Sequence, residues 1–264
     1  MQTAYGQAFT ERGNRYERAM ALSPDVRRDE FGAMLERLGP RPGESIVDAP
    51  SGGAYLRGYL PAGVRYIAVD EAPDFYAACS RRSLPGDEAF LAPCQSVPLA
   101  GATVDVICSL AGLHHLVDRS PVYGEWFRVL RPGGRVVLAD VGEGSAVAGF
   151  LNGFVDRYNS QGHDGHFLCG KDEAALREAG FEDITSEDVR YDWSFRDPQH
   201  VTDFCLDLFG LDRAGAAEAL CRTLEQELGL HGTASGESGG ITRWRLPWSL
   251  RYLTGVKRRT AGAG

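Results

Sequence analysis

The sixteen residues from Ser45 to Leu60, SIVDAPSGGAYLRGYL, constrain the fold of this chain more than any other stretch. They combine a short apolar strand, an acidic residue at its carboxyl end, a glycine-bearing turn and the first turns of a helix. In α/β proteins such a strand–turn–helix binds an adenine-containing cofactor, because glycines let the backbone approach the ligand and unpaired amides at the helix start face it. The stretch therefore predicts an adenosine-binding turn in an α/β fold.

Composition narrows the class of partner. The 264 residues carry a net charge of −8, with 28 Lys and Arg against 36 Asp and Glu, so we expect a small-molecule partner and no nucleic acid. The amino-terminal residues lack an apolar core, and no run approaches the roughly 18 apolar residues of a membrane span. We therefore expect a cytoplasmic protein without stable membrane insertion. The six cysteines are scattered without CxxC spacing, which predicts neither disulfides nor a metal site.

Strand and helix patterns alternate from Ser45 to Asp140. The predicted elements are strands 45–49, 64–69, 88–92, 104–109 and 135–140 and helices 53–60, 73–82 and 120–130. The apolar runs are short and do not alternate with polar residues, which is typical of parallel strands covered on both faces. A helix over 23–38, with Ser23 as its N-cap, is expected to lie on the same sheet. These elements predict a doubly wound α/β core.

The remaining segments are predicted to complete one domain. We assign 1–22 to an amino-terminal lid, 23–144 to the cofactor-binding core, 145–240 to a helical and loop insert with a sixth strand, and 241–264 to the last strand and a basic tail. Within the insert we expect helices over 144–158, 171–179, 198–209 and 213–228, a strand over 181–195 and flexible loops at 159–170 and 229–240. The last strand is expected around 247–256.

Two carboxylates point to a particular cofactor. Asp70 ends a strand about 20 residues beyond the glycine turn, where it suits hydrogen bonds to the two ribose hydroxyls of an adenosine. The alternative is that Asp70 only caps the helix that begins near Ala72. Asp48 immediately precedes the turn; it would repel the pyrophosphate of a dinucleotide and attract the ammonium and sulfonium groups of S-adenosylmethionine.

At three places the sequence resembles the class I S-adenosylmethionine-dependent methyltransferases, over roughly residues 25 to 190 for the order of elements. IVDAPSGGAYL resembles the first motif of that family, an acid followed by G-x-G-x-G, and IAVD resembles the second. LHHLVDRSPVYGEWFRVLRPGGRVVLADV resembles the end of the fourth strand, the following helix, the P-G-G turn and the fifth strand. The resemblance implies a Rossmann-like seven-stranded sheet, mostly parallel with an antiparallel last strand, that binds S-adenosylmethionine and releases S-adenosylhomocysteine.

The resemblance also implies which residues bind the cofactor. Pro50 and Ala54 replace the first and third glycines of the motif, so Gly52, with Gly53 beside it, is expected to approach the ligand most closely. Where the family often has D-A-E-x-L-P-F, the chain has Pro93 to Leu99, PCQSVPL, so the backbone of Cys94 and the side chain of Gln95 are expected to hold adenine. The expected cofactor-binding residues are Asp48, Ala49, Pro50, Ser51, Gly52, Gly53, Asp70, Glu71, Cys94, Gln95, Ser109 and Leu110.

Methyl transfer from a sulfonium needs a base only if the acceptor must lose a proton. The candidate bases are His114 and His115, just after the fourth strand, and His163 and His166, in a glycine-rich polar loop. Of these, His115 and His166 are the predicted catalytic residues. In the family's L-H-H string the histidines are often structural. The pair His163-x-x-His166 could be read as metal ligands, but a loop that orders on substrate binding is favoured.

The acceptor stays open at this level. Aromatic residues of the insert and carboxyl-terminal part, such as Trp193 and Trp248, form either the core of the added elements or the wall of an apolar acceptor pocket. We expect methyl transfer to a small molecule, with oxygen favoured over nitrogen, carbon or sulfur because histidines could act as the base. The alternatives are a non-catalytic binding or scaffold protein with this fold and a nicotinamide-dependent oxidoreductase.

Overall fold

A computed structural model describes residues 4–234 and 241–259, with the side chains of residues 4–12, 241 and 242 excluded. In this part of the chain one sheet runs through the molecule. Its strands are β1 (Ser45–Asp48), β2 (Arg65–Asp70), β3 (Glu88–Leu91), β4 (Val104–Leu110), β5 (Leu130–Asp140), β6 (Glu182–Phe195), β7 (His231–Ala234) and β8 (Ile241–Val256).

The strand order is β3-β2-β1-β4-β5-β8-β6, and β7 pairs with β8 beside this path. Strands β1 to β5 are parallel, and β8 runs antiparallel to both β5 and β6. The predicted doubly wound, Rossmann-like sheet with an antiparallel last strand is therefore confirmed. The sheet has eight strands rather than seven, because β7 forms within the segment that was expected to be a loop and pairs with the amino-terminal half of β8.

Helices cover the sheet and form the insert. They are α1 (Ala4–Leu22), α2 (Arg28–Leu38), α3 (Pro73–Arg82), α4 (Ser120–Val129), α5 (Ala146–Phe150), α6 (Asp156–Tyr158), α7 (Gly170–Glu178), α8 (Pro198–Leu208) and α9 (Ala216–Thr223). A 3-10 helix occupies Tyr55–Tyr59, and π-helical turns at Leu151–Val155 and Leu224–Leu228 extend α5 and α9. Within the described residues no helix is both long and apolar enough to cross a bilayer.

Alternate residues of the central strands enter two separate cores. Ile46 and Val106 belong to the core on the face covered by α2 and the insert, whereas Val47 and Ile107 belong to the core under α4. This alternation follows from the two-residue period of a strand, and both faces are apolar because both are covered. The carboxyl ends of the parallel strands consequently open at one edge, and the site lies there.

Several element boundaries differ from the sequence-based expectation, among them those of two helices. The helix expected from Ser23 begins at Arg28, because residues 24–27 form a turn and the Ser23 hydroxyl lies 2.6 Å from Nε2 of His200 rather than capping a helix. The helix expected after the glycine turn is only the 3-10 segment named above. In both cases tertiary contacts override the local signal for a helix start.

Candidate active site

Three consecutive residues with left-handed backbone shape the turn after β1. Gly52, Gly53 and Ala54 have φ angles of 53°, 92° and 61°. This conformation costs an L-residue about 1 kcal/mol or more. Glycine would therefore suit the backbone at Ala54 better than alanine does. Gly52 lies on the wall of a cavity. A side chain on Gly53 would instead lie 2.6 Å from Oε1 of Glu17, so Gly53 permits close packing of α1 on the turn.

Asp48 ends β1 with its carboxyl group buried. The Tyr66 hydroxyl donates a 2.6 Å hydrogen bond to Oδ2, and Sγ of Cys108 lies 3.8 Å from Oδ1. Burial raises the pKa of Asp48 to about 7, and the bond from Tyr66 opposes the rise. Desolvation disfavours the charged form of the carboxylate, so a bound cation would stabilise that form.

Asp70 ends β2 and joins the glycine turn to the next helix. Its Oδ2 accepts a 2.9 Å hydrogen bond from the amide of Gly52, and its Oδ1 accepts a 3.0 Å bond from the amide of Ala72. Asp70 therefore holds the residue that precedes α3, but no side chain that the structure describes forms an N-cap hydrogen bond with this helix. The same carboxylate also fixes the conformation of the turn.

Two predicted cofactor residues have buried polar atoms without a hydrogen-bond partner among the described residues. They are Oε1 of Gln95 and the hydroxyl of Ser109. Ser109 is on β4, and Gln95 follows β3 beside the buried Cys94. A buried polar atom that lacks a partner is costly, and the same is found for Trp126, Tyr191 and Tyr252. The binding role of Gln95 and Ser109 therefore stays a prediction.

Two adjoining cavities open at this edge and share Tyr16 and Arg27. The smaller, of about 300 Å³, is lined by Tyr16, Arg27, Phe31, Asp48, Pro50, Ser51, Gly52, Tyr55, Leu56 and Leu110. The larger, of about 640 Å³, is lined by Tyr16, Arg27, Glu30, Ala111, His114, His115, Val141, Leu151, Val155, His163, Trp193, Leu208, Phe209, Trp248 and Leu250. Five of the predicted cofactor residues thus line the smaller cavity, namely Asp48, Pro50, Ser51, Gly52 and Leu110; Ala49, Gly53, Asp70, Glu71, Cys94, Gln95 and Ser109 are not part of its wall.

A buried ion pair stands where the two cavities meet. Arg27 and Glu30 form a bidentate pair, the Arg27 guanidinium donates to the Tyr16 hydroxyl at 2.6 Å, and the Trp193 indole donates to Oε2 of Glu30 at 2.8 Å. Burial would lower the pKa of Arg27, but the Glu30 carboxylate outweighs it and raises that pKa above its ordinary value. The sequence analysis did not find this group, because its members lie on α1, in the turn before α2, on α2 and on β6.

The larger cavity carries imidazole groups at one end. His114, which is buried, lies with Nδ1 2.7 Å from Oδ1 of Asp140, and the rings of His115 and His163 lie with their centres 4.2 Å and 5.5 Å from the His114 ring. Burial would raise the pKa of Asp140, but the neighbouring His114 and the hydrogen bond that the Val141 amide donates to Asp140 outweigh it and lower that pKa. His115, a predicted catalytic residue, lines the cavity. His166, the other, does not; its backbone amide donates to the carbonyl oxygen of His114.

Some aromatic residues of the insert and the carboxyl-terminal part line the larger cavity, and others belong to the core. Trp193 and Trp248 stack with ring centres 4.2 Å apart, and with Phe209 they form a wall of the larger cavity. Phe195 and Phe204 are buried in the core instead. The wall of the cavity therefore combines apolar and aromatic side chains with imidazoles.

Comparisons with known proteins agree with this geometry. Residues 47–138 match the family model described as a methyltransferase domain. Among curated proteins, the malonyl-[acyl-carrier protein] O-methyltransferase of Serratia marcescens is 31% identical over 144 residues, which are 54% of this chain and 54% of that protein. The 27-O-demethylrifamycin SV methyltransferase of Amycolatopsis mediterranei is 39% identical over 100 residues, 37% of this chain and 36% of that protein.

The chain thus spans between about a third and about half of the length of these relatives. Among solved structures, the YcgJ protein of Bacillus subtilis superimposes with a TM-score of 0.63 at 16% identity, covering 88% of this chain and 100% of that one. The resemblance in the three sequence motifs is confirmed: residues 47–138 match a methyltransferase domain, and the chain has the fold of the class I S-adenosylmethionine-dependent methyltransferases.

Proposed function

We propose that this protein transfers a methyl group from S-adenosylmethionine to a hydroxyl oxygen of a small molecule with an apolar or aromatic body. The observation that carries the proposal is the pair of adjoining cavities, one at the glycine turn and one walled by aromatic and imidazole side chains, with Tyr16 and Arg27 common to both. A donor in the first and an acceptor in the second would meet at that junction, and such positioning supplies much of the rate enhancement of a displacement reaction.

The cofactor end has the polar groups that S-adenosylmethionine requires. The buried Asp48 would face its cationic methionine portion, Asp70 its ribose hydroxyls, and Gln95 its adenine amino group, for which Oε1 is an acceptor. Ser109 and Leu110 would lie beside its methionine and ribose portions. When bound, the cofactor supplies a methyl group already activated on a sulfonium.

The acceptor end supports oxygen as the methylated atom. Aromatic side chains supply contact area for an apolar body, and the imidazoles in the same wall, His115 included, would handle the proton that a hydroxyl or phenol releases. By its name, the relative from Serratia is an O-methyltransferase, and the relative from Amycolatopsis methylates 27-O-demethylrifamycin SV. Both names are compatible with this choice. The buried Arg27–Glu30 pair would keep the junction between the cavities rigid.

Calorimetry with S-adenosylhomocysteine tests the cofactor half. We expect one site per chain, and we expect Asp70→Ala to weaken binding by roughly 10- to 100-fold because hydrogen bonds to a charged group are lost. Asp74→Ala, in the first turn of the following helix, is the matched control and should bind as the unaltered protein does. Equal affinity in all three proteins would remove Asp70 from the site.

A screen of acceptors with labelled methyl donor tests the reaction. Phenols and alcohols with apolar ring systems should accept label, whereas amines and thiols of the same shape should accept less. Binding of S-adenosylhomocysteine without transfer to any acceptor would favour the non-catalytic alternative. A rise in melting temperature with nicotinamide cofactors alone would favour an oxidoreductase.

A further inference from the structure

Three histidines from two separate segments converge at the imidazole end of the larger cavity. His114 and His115 follow β4, and His163 lies in the loop between α6 and α7. One ring nitrogen of each lies within 4.8 Å of those of the other two. Imidazole nitrogens brought together in this way offer ligands to a single ion.

Hydrogen bonds on the far side of two of these rings determine which nitrogen carries the lone pair. Nδ1 of His114 faces the Asp140 carboxylate at 2.7 Å, and carboxylates accept, so Nδ1 carries the hydrogen and Nε2 the lone pair in the neutral ring. The Asp140 carboxylate also accepts the backbone amides of Leu113, His114 and Val141, which holds it in place.

Asn152 orients His163 in the same manner. Its amide nitrogen donates to the carbonyl oxygen of Gly165 at 2.9 Å, and its Oδ1 accepts from the amide of Gly165 at 2.8 Å, so its orientation is defined. Nδ1 of His163, 2.9 Å from the same Oδ1, must therefore donate, which leaves the lone pair on Nε2. Metal-binding histidines characteristically donate their other ring N–H to a carboxylate or carbonyl oxygen in this way.

We propose that His114, His115 and His163 form a binding site for one divalent transition-metal ion, held by Nε2 of His114 and His163 and by one ring nitrogen of His115, with an open position that faces the acceptor cavity. Neutral imidazole ligands suit Zn²⁺, Co²⁺, Fe²⁺ or Ni²⁺ and disfavour Mg²⁺ or Ca²⁺. Ligand nitrogens of a tetrahedral site lie roughly 3.4 Å apart, given bonds of about 2.0 to 2.1 Å. The rings must therefore close by about an ångström, which His115 and His163 can do because both are only partly buried.

The open position gives the site a role in the reaction, and this step rests on the proposed function. Three protein ligands and one exchangeable position are typical of catalytic rather than structural sites. An acceptor hydroxyl bound there would lose its proton to solvent more readily, and the oxygen lone pair would form the new O–CH3 bond as the S–CH3 bond breaks and its electrons stay on sulfur. The larger cavity would thereby select acceptors with an oxygen at the end of an apolar body.

Metal titration of the chelator-treated protein tests the site without cofactor or acceptor. We expect Co²⁺ to give the visible absorption bands of a tetrahedral nitrogen and oxygen environment, without thiolate charge transfer, and Zn²⁺ to compete at one ion per chain in equilibrium dialysis. His163→Ala should weaken binding at least tenfold. Asn152→Leu should weaken it by about 10- to 100-fold, because loss of a partner that orients a ligand has effects of that size.

His166→Ala is the matched control, since this histidine lies in the same loop and is not part of the cluster. It should bind the ion as the unaltered protein does. If His163→Ala does not fold, as judged by circular dichroism, His115→Ala takes its place. Absence of stoichiometric binding, or equal loss in His163→Ala and His166→Ala, overturns the site. Because S-adenosylhomocysteine binding is measured separately, loss of one property leaves the other standing.

Discussion

At the scale of single residues, burial disfavours the charged form of the Asp48 carboxyl. Burial raises its pKa to about 7, whereas an aspartate in an unfolded chain has a pKa near about 3.9. Because the folded pKa is the higher one, the folded state binds the proton more tightly. Ionisation of Asp48 therefore opposes folding by an amount that is absent below about pH 4, grows up to about pH 7 and is constant above it.

Replacing Asp48 with asparagine should separate stability from cofactor binding. The amide can still accept the hydrogen bond from Tyr66 but does not ionise. We expect Asp48→Asn to melt at a higher temperature than the unaltered protein at pH 8, with a difference that shrinks toward pH 5, and to bind S-adenosylmethionine more weakly. Melting curves between pH 5 and pH 8 and calorimetry check both parts.

Asp105→Asn provides the opposite sign as a control. Burial would raise the pKa of Asp105, but hydrogen bonds from Ser45 and the nearby Arg131 outweigh burial and lower that pKa. Its ionised form therefore stabilises the fold, and Asp105→Asn should melt lower at pH 8. A difference between Asp48→Asn and the unaltered protein that does not change between pH 5 and pH 8 would show that Asp48 does not titrate in this range and would contradict the raised pKa.

At the scale of elements, the segment after β4 packs directly on the turn after β1. Gly112 is buried, and a Cβ built on it would lie 2.5 Å from Cγ and 3.3 Å from Cδ of Pro50. The proline ring is rigid, so it cannot move aside as a long side chain could. The proline that replaces a motif glycine thus fits because the facing position has no side chain.

Gly112→Ala should therefore loosen the site by steric means alone. Its backbone does not require glycine, so we expect a loss of about 1–3 kcal/mol in the free energy of unfolding from overpacking, together with weaker S-adenosylhomocysteine binding. Gly124→Ala, at an open position on α4, should instead gain about 0.5–1 kcal/mol through helix propensity. Urea unfolding measures both; equal effects of the two substitutions would contradict the contact.

At the scale of the whole molecule, α1 connects the cofactor side of the sheet to the insert. Glu17 accepts hydrogen bonds from Arg82 at 2.9 Å and from Tyr55 at 3.0 Å, while Arg18 and Arg15 pair with Asp207 on α8. Tyr16, between these anchors, lines both cavities. The helix thus contributes a side chain to the junction of the two cavities, and its role as a lid stays a prediction.

Releasing the insert end of α1 should speed the exchange of ligand. Asp207→Ala removes both arginine contacts, and we expect faster amide exchange in α1 and a several-fold faster dissociation of S-adenosylhomocysteine. The cost in unfolding free energy should stay within about 1 kcal/mol, because the pairs are partly exposed.

Asp203→Ala, one turn earlier on α8, bonds only Gln199 among the described side chains and serves as the control. Hydrogen exchange with mass spectrometry and stopped-flow dissociation distinguish the two variants. Identical rates in Asp207→Ala and Asp203→Ala would show that α1 does not act as a cover.

Local features were predictable where neighbours in sequence settle them. The ends of β1, β2 and β4 follow from short apolar runs and the residues that break them, so Asp48, Asp70 and Ser109 could be placed at one edge of the sheet. The start of α2 could not, because Ser23 has a partner 177 residues away in His200. Likewise β7 forms by pairing with the long strand β8, and the residues His231–Ala234 carry no strand pattern of their own.

The sequence by itself determined the class of fold, the carboxylates beside the glycine turn and the resemblance to a methyltransferase domain, since these rest on periodicity, turn chemistry and charge within short segments. Only the tertiary structure brought Trp193 to Glu30, 163 residues away, and His163 beside His114. Such meetings depend on strand order and on how the insert packs over the sheet edge. The glycine turn could therefore be predicted from the sequence, whereas the larger cavity could be identified only from the tertiary structure.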